Sequence, residues 1–165
     1  MDVREKATMG TGDNARAKGS YVLVLHFAET KCLTVGKLGT FAFPTGLYLY
    51  FGSALNGLAG RIRRHLRQDK KVHWHVDALT PEAEVVEVAW ALGAYRYECS
   101  WARAAVERAG ATIPARGFGS SDCHCPSHLV YLGQVLPGER TSERWRRVLE
   151  ALPRSTRMHQ GLPLP

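Results

Sequence analysis

Three groups of side chains in this sequence have types and spacings suited to chemistry. The first is Arg61 and His65, four residues apart within Leu58-Ala-Gly-Arg-Ile-Arg-Arg-His-Leu66. Leu58, Ile62 and Leu66 recur every four residues there, which is the core-facing stripe of a helix. At about 100° per residue, Arg61 and His65 sit one turn apart on the edge of that stripe, whereas Arg63 and Arg67 face solvent. A guanidinium at such a boundary can grip a phosphate through two parallel hydrogen bonds. An imidazole beside it can move a proton near neutral pH. The second group is Glu98, at the start of a stretch whose apolar face runs through Ala102, Ala105 and Ala109. A carboxylate aimed at a core face is costly unless it is paired or binds a cation. An acid in the first turn of a helix is also favoured by the helix dipole, by about 0.3–1 kcal/mol, so both readings of Glu98 stand. The third group is Cys123-x-Cys125-x-x-His128, whose thiols and imidazole are donors that tetrahedral zinc takes. His73-Trp-His75-Val-Asp77 places His73, His75 and Asp77 on one face if extended, and a fourth zinc ligand could be His73, His75 or Cys99. The alternatives for the same motif are a reactive thiol, or a tight loop with buried thiols in which Asp122 caps a turn and Ser121 or His128 lines the cleft.

One small core must position these groups. The chain has 165 residues, of which 45% are apolar and 22% charged, ordinary figures for a globular protein. A chain of this size buries roughly 68–70% of its unfolded surface, enough for one domain but not two. The longest apolar run, Tyr21 to Phe27, falls far short of the roughly 18 residues that span a bilayer. The first residues lack the apolar segment of a secretory signal, so a cytoplasmic protein with reduced thiols is expected, with no membrane partner. Lys plus Arg is 22 against 15 for Asp plus Glu, a net charge of +7, which favours polyanionic partners such as nucleic acid or anionic lipid.

Residues 1–18 are polar and aperiodic and read as a flexible arm; 153–165, with three prolines, reads as a flexible tail; 19–152 reads as the domain. Tyr21–Phe27 is rich in β-branched and aromatic residues and predicts a buried strand. Thr34–Phe43 predicts a second, interrupted at Gly36 and Gly39, and Leu47–Phe51 a third after the turn at Pro44-Thr-Gly46. Gly52–Gly57 reads as a loop and Leu58–Gln68 as a helix. Glu82–Leu92 then reads as a strand, Glu98–Ala109 as a helix, 116–127 as a loop and Leu129–Val135 as a last strand. The expected class is α+β, a small mixed, mainly antiparallel sheet with helices packed on it.

Tyr50-Phe-Gly-Ser-Ala54 followed by Arg61-Ile-Arg-Arg-His65 resembles the second half of the GIY-YIG nuclease module. Gly19-Ser-Tyr21 matches its first element, with Ser20 where that family carries an apolar residue. From Gly19 to about Leu132 the chain more narrowly resembles the DUF123 branch, some of whose members are fused to endonuclease III-like repair enzymes. The marks are Tyr48–Ala54, Arg61–His65, His73–Asp77, Glu98-Cys99 and Phe118–His128. The resemblance implies a GIY-YIG-like fold and a divalent-metal-dependent endonuclease that hydrolyses phosphodiester bonds, DNA foremost. It makes Glu98 the ligand of Mg²⁺ or Mn²⁺, puts Arg61 on the phosphate, and gives the attacking water to Tyr21 or His65, with Tyr50 ordering the site. Arg64, Lys70, Lys71, His73 and His75 are the expected nucleic-acid contacts. Cys123, Cys125 and His128 are expected either to bind a structural Zn²⁺ or to line the cleft, and a DNA-repair protein is an expected partner. Two rivals remain: a non-catalytic nucleic-acid-binding module, and a zinc-stabilised protein-interaction domain.

Overall fold

The central strand of the molecule is apolar on both sides, and that sets the architecture. The computed structural model describes residues 16–161. In it β1 (Gly19–Phe27) sends Tyr21, Leu23, Leu25 and Phe27 into one buried cluster and Val22 and Val24 into another. Side chains alternate across a strand, so an unbroken apolar run signals a sheet covered on both faces. Two short strands follow, β2 (Lys31–Val35) and β3 (Gly39–Phe43), and then β4 (Gly46–Ala54), α1 (Leu58–Leu66) and β5 (Glu84–Leu92). The chain continues through α2 (Glu98–Ala109), β6 (Leu129–Gly133), α3 (Thr141–Ala151) and β7 (Met158–Gly161). The five-stranded sheet runs β6-β4-β1-β5-β7, and each neighbouring pair is antiparallel. Helix α1 covers the Tyr21 face with Leu58 and Ile62, while α2 and α3 cover the other with Trp101, Ala105, Trp145 and Leu149. This is a single small α+β domain, as the sequence predicts.

Three segments differ from the sequence reading. The expected strand Thr34–Phe43 is a hairpin: Gly36 takes φ +48° at the turn, and β2 folds back on β3 as a separate two-stranded sheet. Helix α3 has no counterpart in the expectation, yet Trp145, Val148, Leu149 and Leu152 are buried at helical spacing beneath a charged outer face. Of the expected tail 153–165, residues 158–161 form β7 and 162–165 lie outside the described residues. The Met-His-Gln-Gly of β7 carries no apolar alternation and is held by pairing with β5 and by His159 stacked on Trp90 at 5.7 Å. Of the expected arm, residues 1–15 lie outside the described residues. Ala17 and Lys18 are tied in, their carbonyls accepting from Leu58 and Gly93 N–H at 2.9 Å each. Among the described residues no helix is long and apolar enough to cross a membrane.

Candidate functional site

Where β1 and β4 pair, Tyr21 lies opposite Gly52 and Leu23 opposite Tyr50, so the two tyrosines share the face beneath α1. Their rings are 6.3 Å apart. Gly52 is required for this: a Cβ there would lie 2.4 Å from Cζ and 2.5 Å from the oxygen of Tyr21. The last turn of α1 brings the buried His65 over Tyr21, and its Nε2 stands 2.7 Å from the phenol oxygen. Behind it, His65 Nδ1 lies 2.9 Å from Oδ1 of the buried Asp77. Burial alone would raise Asp77, but hydrogen bonds from His65 and from the backbone N–H groups of Trp74 and His73 outweigh it and hold its carboxyl well below the usual range. Burial lowers His65 against the pull of Asp77, which leaves the imidazole neutral at pH 7. A carboxylate can only accept, so Nδ1–H donates to Asp77 and the Nε2 lone pair faces the Tyr21 hydroxyl. Burial raises Tyr21 well above its ordinary value, with Arg61 opposing, so the phenol keeps its proton. Tyr50 is raised by burial in the same way.

Tyr21 and Tyr50 open into a polar cleft of about 270 Å³ between α1, the start of α2 and the 117–128 loop. Glu98 is buried on its far wall and is the first residue of α2. Ser53 of β4 donates to its Oε2, and Arg96 donates to Oε1 at 3.0 Å. Arg96 also lies 3.6 Å from Asp122, a second carboxylate lining the cleft. The Ser53 proton is committed to Glu98, so Ser20 donates to Ser53 at 2.8 Å while accepting the Tyr97 N–H at 2.9 Å. Ser20, which departs from the apolar residue expected there, thus ties β1 to the N-terminus of α2. Across the cleft the Arg61 guanidinium lies 4.0 Å above the Trp74 ring and reaches the Ser53 carbonyl at 3.5 Å. Stacking on an indole orients a guanidinium without hiding its N–H groups.

A family model described as a domain of unknown function, DUF123, matches residues 20–151. The chain belongs to the DUF123 family. No curated protein and no solved structure matches it. The DUF123 match spans both walls of the cleft, from β1 to α3.

A second cluster in this DUF123 domain backs onto the first. Cys99 on α2 and Cys123, Cys125 and His128 on the following loop bring their donor atoms within 4.8 Å of one another, a group that could hold a metal ion and fits a structural zinc. Burial, with the neighbouring thiols adding to it, pushes the Cys99 thiol up, and burial also raises Cys125. The fourth member is Cys99 rather than His73 or His75. The expected extended run 73–77 instead turns into a short 3-10 helix from His75 to Ala78, which sends Asp77 inward to His65. His75 lines the cleft and accepts the Gly119 N–H at 2.8 Å, while His73 is exposed beside Trp74.

Tyr21, Tyr50, Arg61 and Glu98 therefore meet in one cleft, with His65 directly behind Tyr21. Two of the expected nucleic-acid contacts are engaged elsewhere. Lys70 donates to the His65 and Arg67 carbonyls and to Thr80, at 2.6, 2.7 and 2.7 Å. Arg64 donates to the Lys71 carbonyl at 2.8 Å and stacks on Trp74. Lys71 is exposed. Asp77, Ser53 and Arg96 were not among the expected site residues. Only Asp77 had a local signal, its place beside two histidines; the other two depend on strand register and on the helix start.

Proposed function

We propose that the cleft hydrolyses phosphodiester bonds in nucleic acid, DNA foremost, as a GIY-YIG-type endonuclease. The observation that carries this reading is the hydrogen-bonded row Tyr21, His65, Asp77, which ends in the same cleft as Arg61 and Glu98. A substrate phosphate between the walls meets the Arg61 guanidinium, which stabilises charge as it grows on the phosphoryl oxygens. An attacking water gives a proton to the Tyr21 oxygen while the Tyr21 proton passes to His65 Nε2. Asp77 then faces the resulting imidazolium across 2.9 Å. The water oxygen forms the new P–O bond as the bond to the leaving oxygen breaks, and the leaving oxygen takes its proton from solvent in the open cleft. Because the phenol is raised by burial, this concerted shift is favoured over a standing phenolate.

Glu98 and Asp122 suit a hard divalent cation such as Mg²⁺ or Mn²⁺, which takes one or two carboxylates and keeps several waters. Arg96, whose side chain is 53% exposed, can yield the Glu98 oxygen it now holds. When bound, such an ion supplies positive charge to the phosphate and the leaving oxygen. The net charge of +7 and the exposed Arg63, Arg67 and Lys71 suit a polyanion lying across α1. A repair protein as partner fits the same reading. The test is metal-dependent cleavage of labelled DNA and RNA that Glu98→Gln and Arg61→Ala both remove.

A further inference from the structure

Sequence distance makes the thiol cluster informative. Its members come from the first turn of α2, the middle of the 117–128 loop and the residue that enters β6, yet their donor atoms converge. Cys99 Sγ and Cys123 Sγ each lie 3.5 Å from His128 Nε2. Zinc bonds of about 2.3 Å to sulfur and about 2.05 Å to nitrogen, set at the tetrahedral angle, separate S from N by about 3.6 Å. Cys32, the one other cysteine, lies exposed on β2 outside the group.

The supporting shell is present as well. The Cys123 N–H donates to the Ser120 carbonyl at 3.3 Å, and Gly117 and His128 N–H close the loop onto Pro126 and Phe118 carbonyls at 2.7 Å each. Between α2 and β6 the chain has no helix or strand of its own, and few large apolar side chains besides Phe118 to anchor it.

We propose that Cys99, Cys123, Cys125 and His128 bind one Zn²⁺ as a closed, four-ligand structural site that clamps the 117–128 loop to the start of α2. Three sulfurs and one nitrogen are the donors of a soft or borderline ion and exclude Mg²⁺. With all four positions taken by protein, no site is left open for water or substrate. Cys99 directly follows Glu98, so the ion fixes the helix turn that aims that carboxylate. The site does not depend on the phosphodiester reading.

Metal analysis of the full chain, purified reduced and without chelator, tests this together with Co²⁺ substitution. One zinc per chain is expected, with Co²⁺ giving the visible bands of a tetrahedral thiolate complex. Cys123→Ser and Cys125→Ser should lose the metal, and Cys32→Ser should keep it. Zinc removal from the wild-type chain should lower its melting temperature and speed amide exchange across 117–128, a readout independent of whether the variants fold. A reduced wild-type chain that takes up neither metal overturns the site, as does equal zinc loss in Cys32→Ser or a disulfide joining two members of the cluster. Zinc without cleavage would leave this site standing and remove the nuclease reading; cleavage without zinc would do the reverse.

Discussion

Asp77 has no route to the substrate, so its effect must pass through His65, whose Nδ1 it meets at 2.9 Å. Asp77→Asn keeps the shape but removes the acceptor that fixes the imidazole tautomer. Turnover should then fall by about 10²-fold or more, the usual range for general acid–base groups, with KM nearly unchanged. An equal rise in KM would instead assign Asp77 to binding. The same row gives stability a pH dependence of known sign. His65 is held below the ordinary histidine value by burial, so the unfolded chain binds its proton first as pH falls. Stability should therefore drop as pH goes below about 6.5. Asp77 is held low, so its contribution is present above pH about 4 and is lost on further acidification. Urea midpoints from pH 7 to 4 should decline steadily, and His65→Asn should make the decline below about 6.5 shallower without abolishing it, since burial also lowers His75 and His128; a midpoint that rises there would refute the burial argument. Arg61 and His65 were legible as a pair because helical spacing is local. Asp77 was only half legible: its place beside two histidines was clear, but an extended chain would put it on one face with them, whereas the short 3-10 helix sends it in to His65.

At the scale of elements, one strand crossing decides whether Tyr21 reaches the cleft. Gly52 lies opposite it in β4, and any Cβ would collide with the phenol. Gly52→Ala should fold, at a cost of about 1–3 kcal/mol for overpacking, yet lose most cleavage because the hydroxyl leaves His65. A Gly52→Ala chain with full activity would show that Tyr21 takes no part. The elements themselves were readable where apolar residues were dense. The strand at β1, the helices α1 and α2 and the last long-range strand β6 all follow from runs or periodic stripes. Helix α3 was harder to read, since its three buried residues, Trp145, Val148 and Leu149, are diluted by Arg144, Arg146 and Arg147. Strand β7 was not readable: its place comes from the open edge of β5 and the Trp90 stack, neither of which is local.

The whole molecule uses the two faces of one sheet differently. Helices α2 and α3 bury the face of Val22, Leu47 and Phe51 around Trp101. The Tyr21 face is buried beneath α1, the chain from 73 to 83, the β2–β3 hairpin and Phe118, and the cleft opens at the end of the strands. Class and single-domain organisation were legible because one dense core serves the whole chain. On the site's far wall Glu98 was legible but its partners Ser53 and Arg96 were not, since they meet it only after β4 and α2 pack together. Metal-dependent cleavage is the decisive measurement for the cleft. The full chain would be incubated with Mg²⁺ or Mn²⁺ and labelled single-stranded, duplex, flapped and branched DNA and RNA, with Glu98→Gln and Arg61→Ala alongside. The expected result is cleavage of at least one substrate that needs the cation, with both variants lowering it by about 10²-fold or more. Folded wild-type protein that cuts none of these substrates, or variants that cut as well as wild type, would contradict the account.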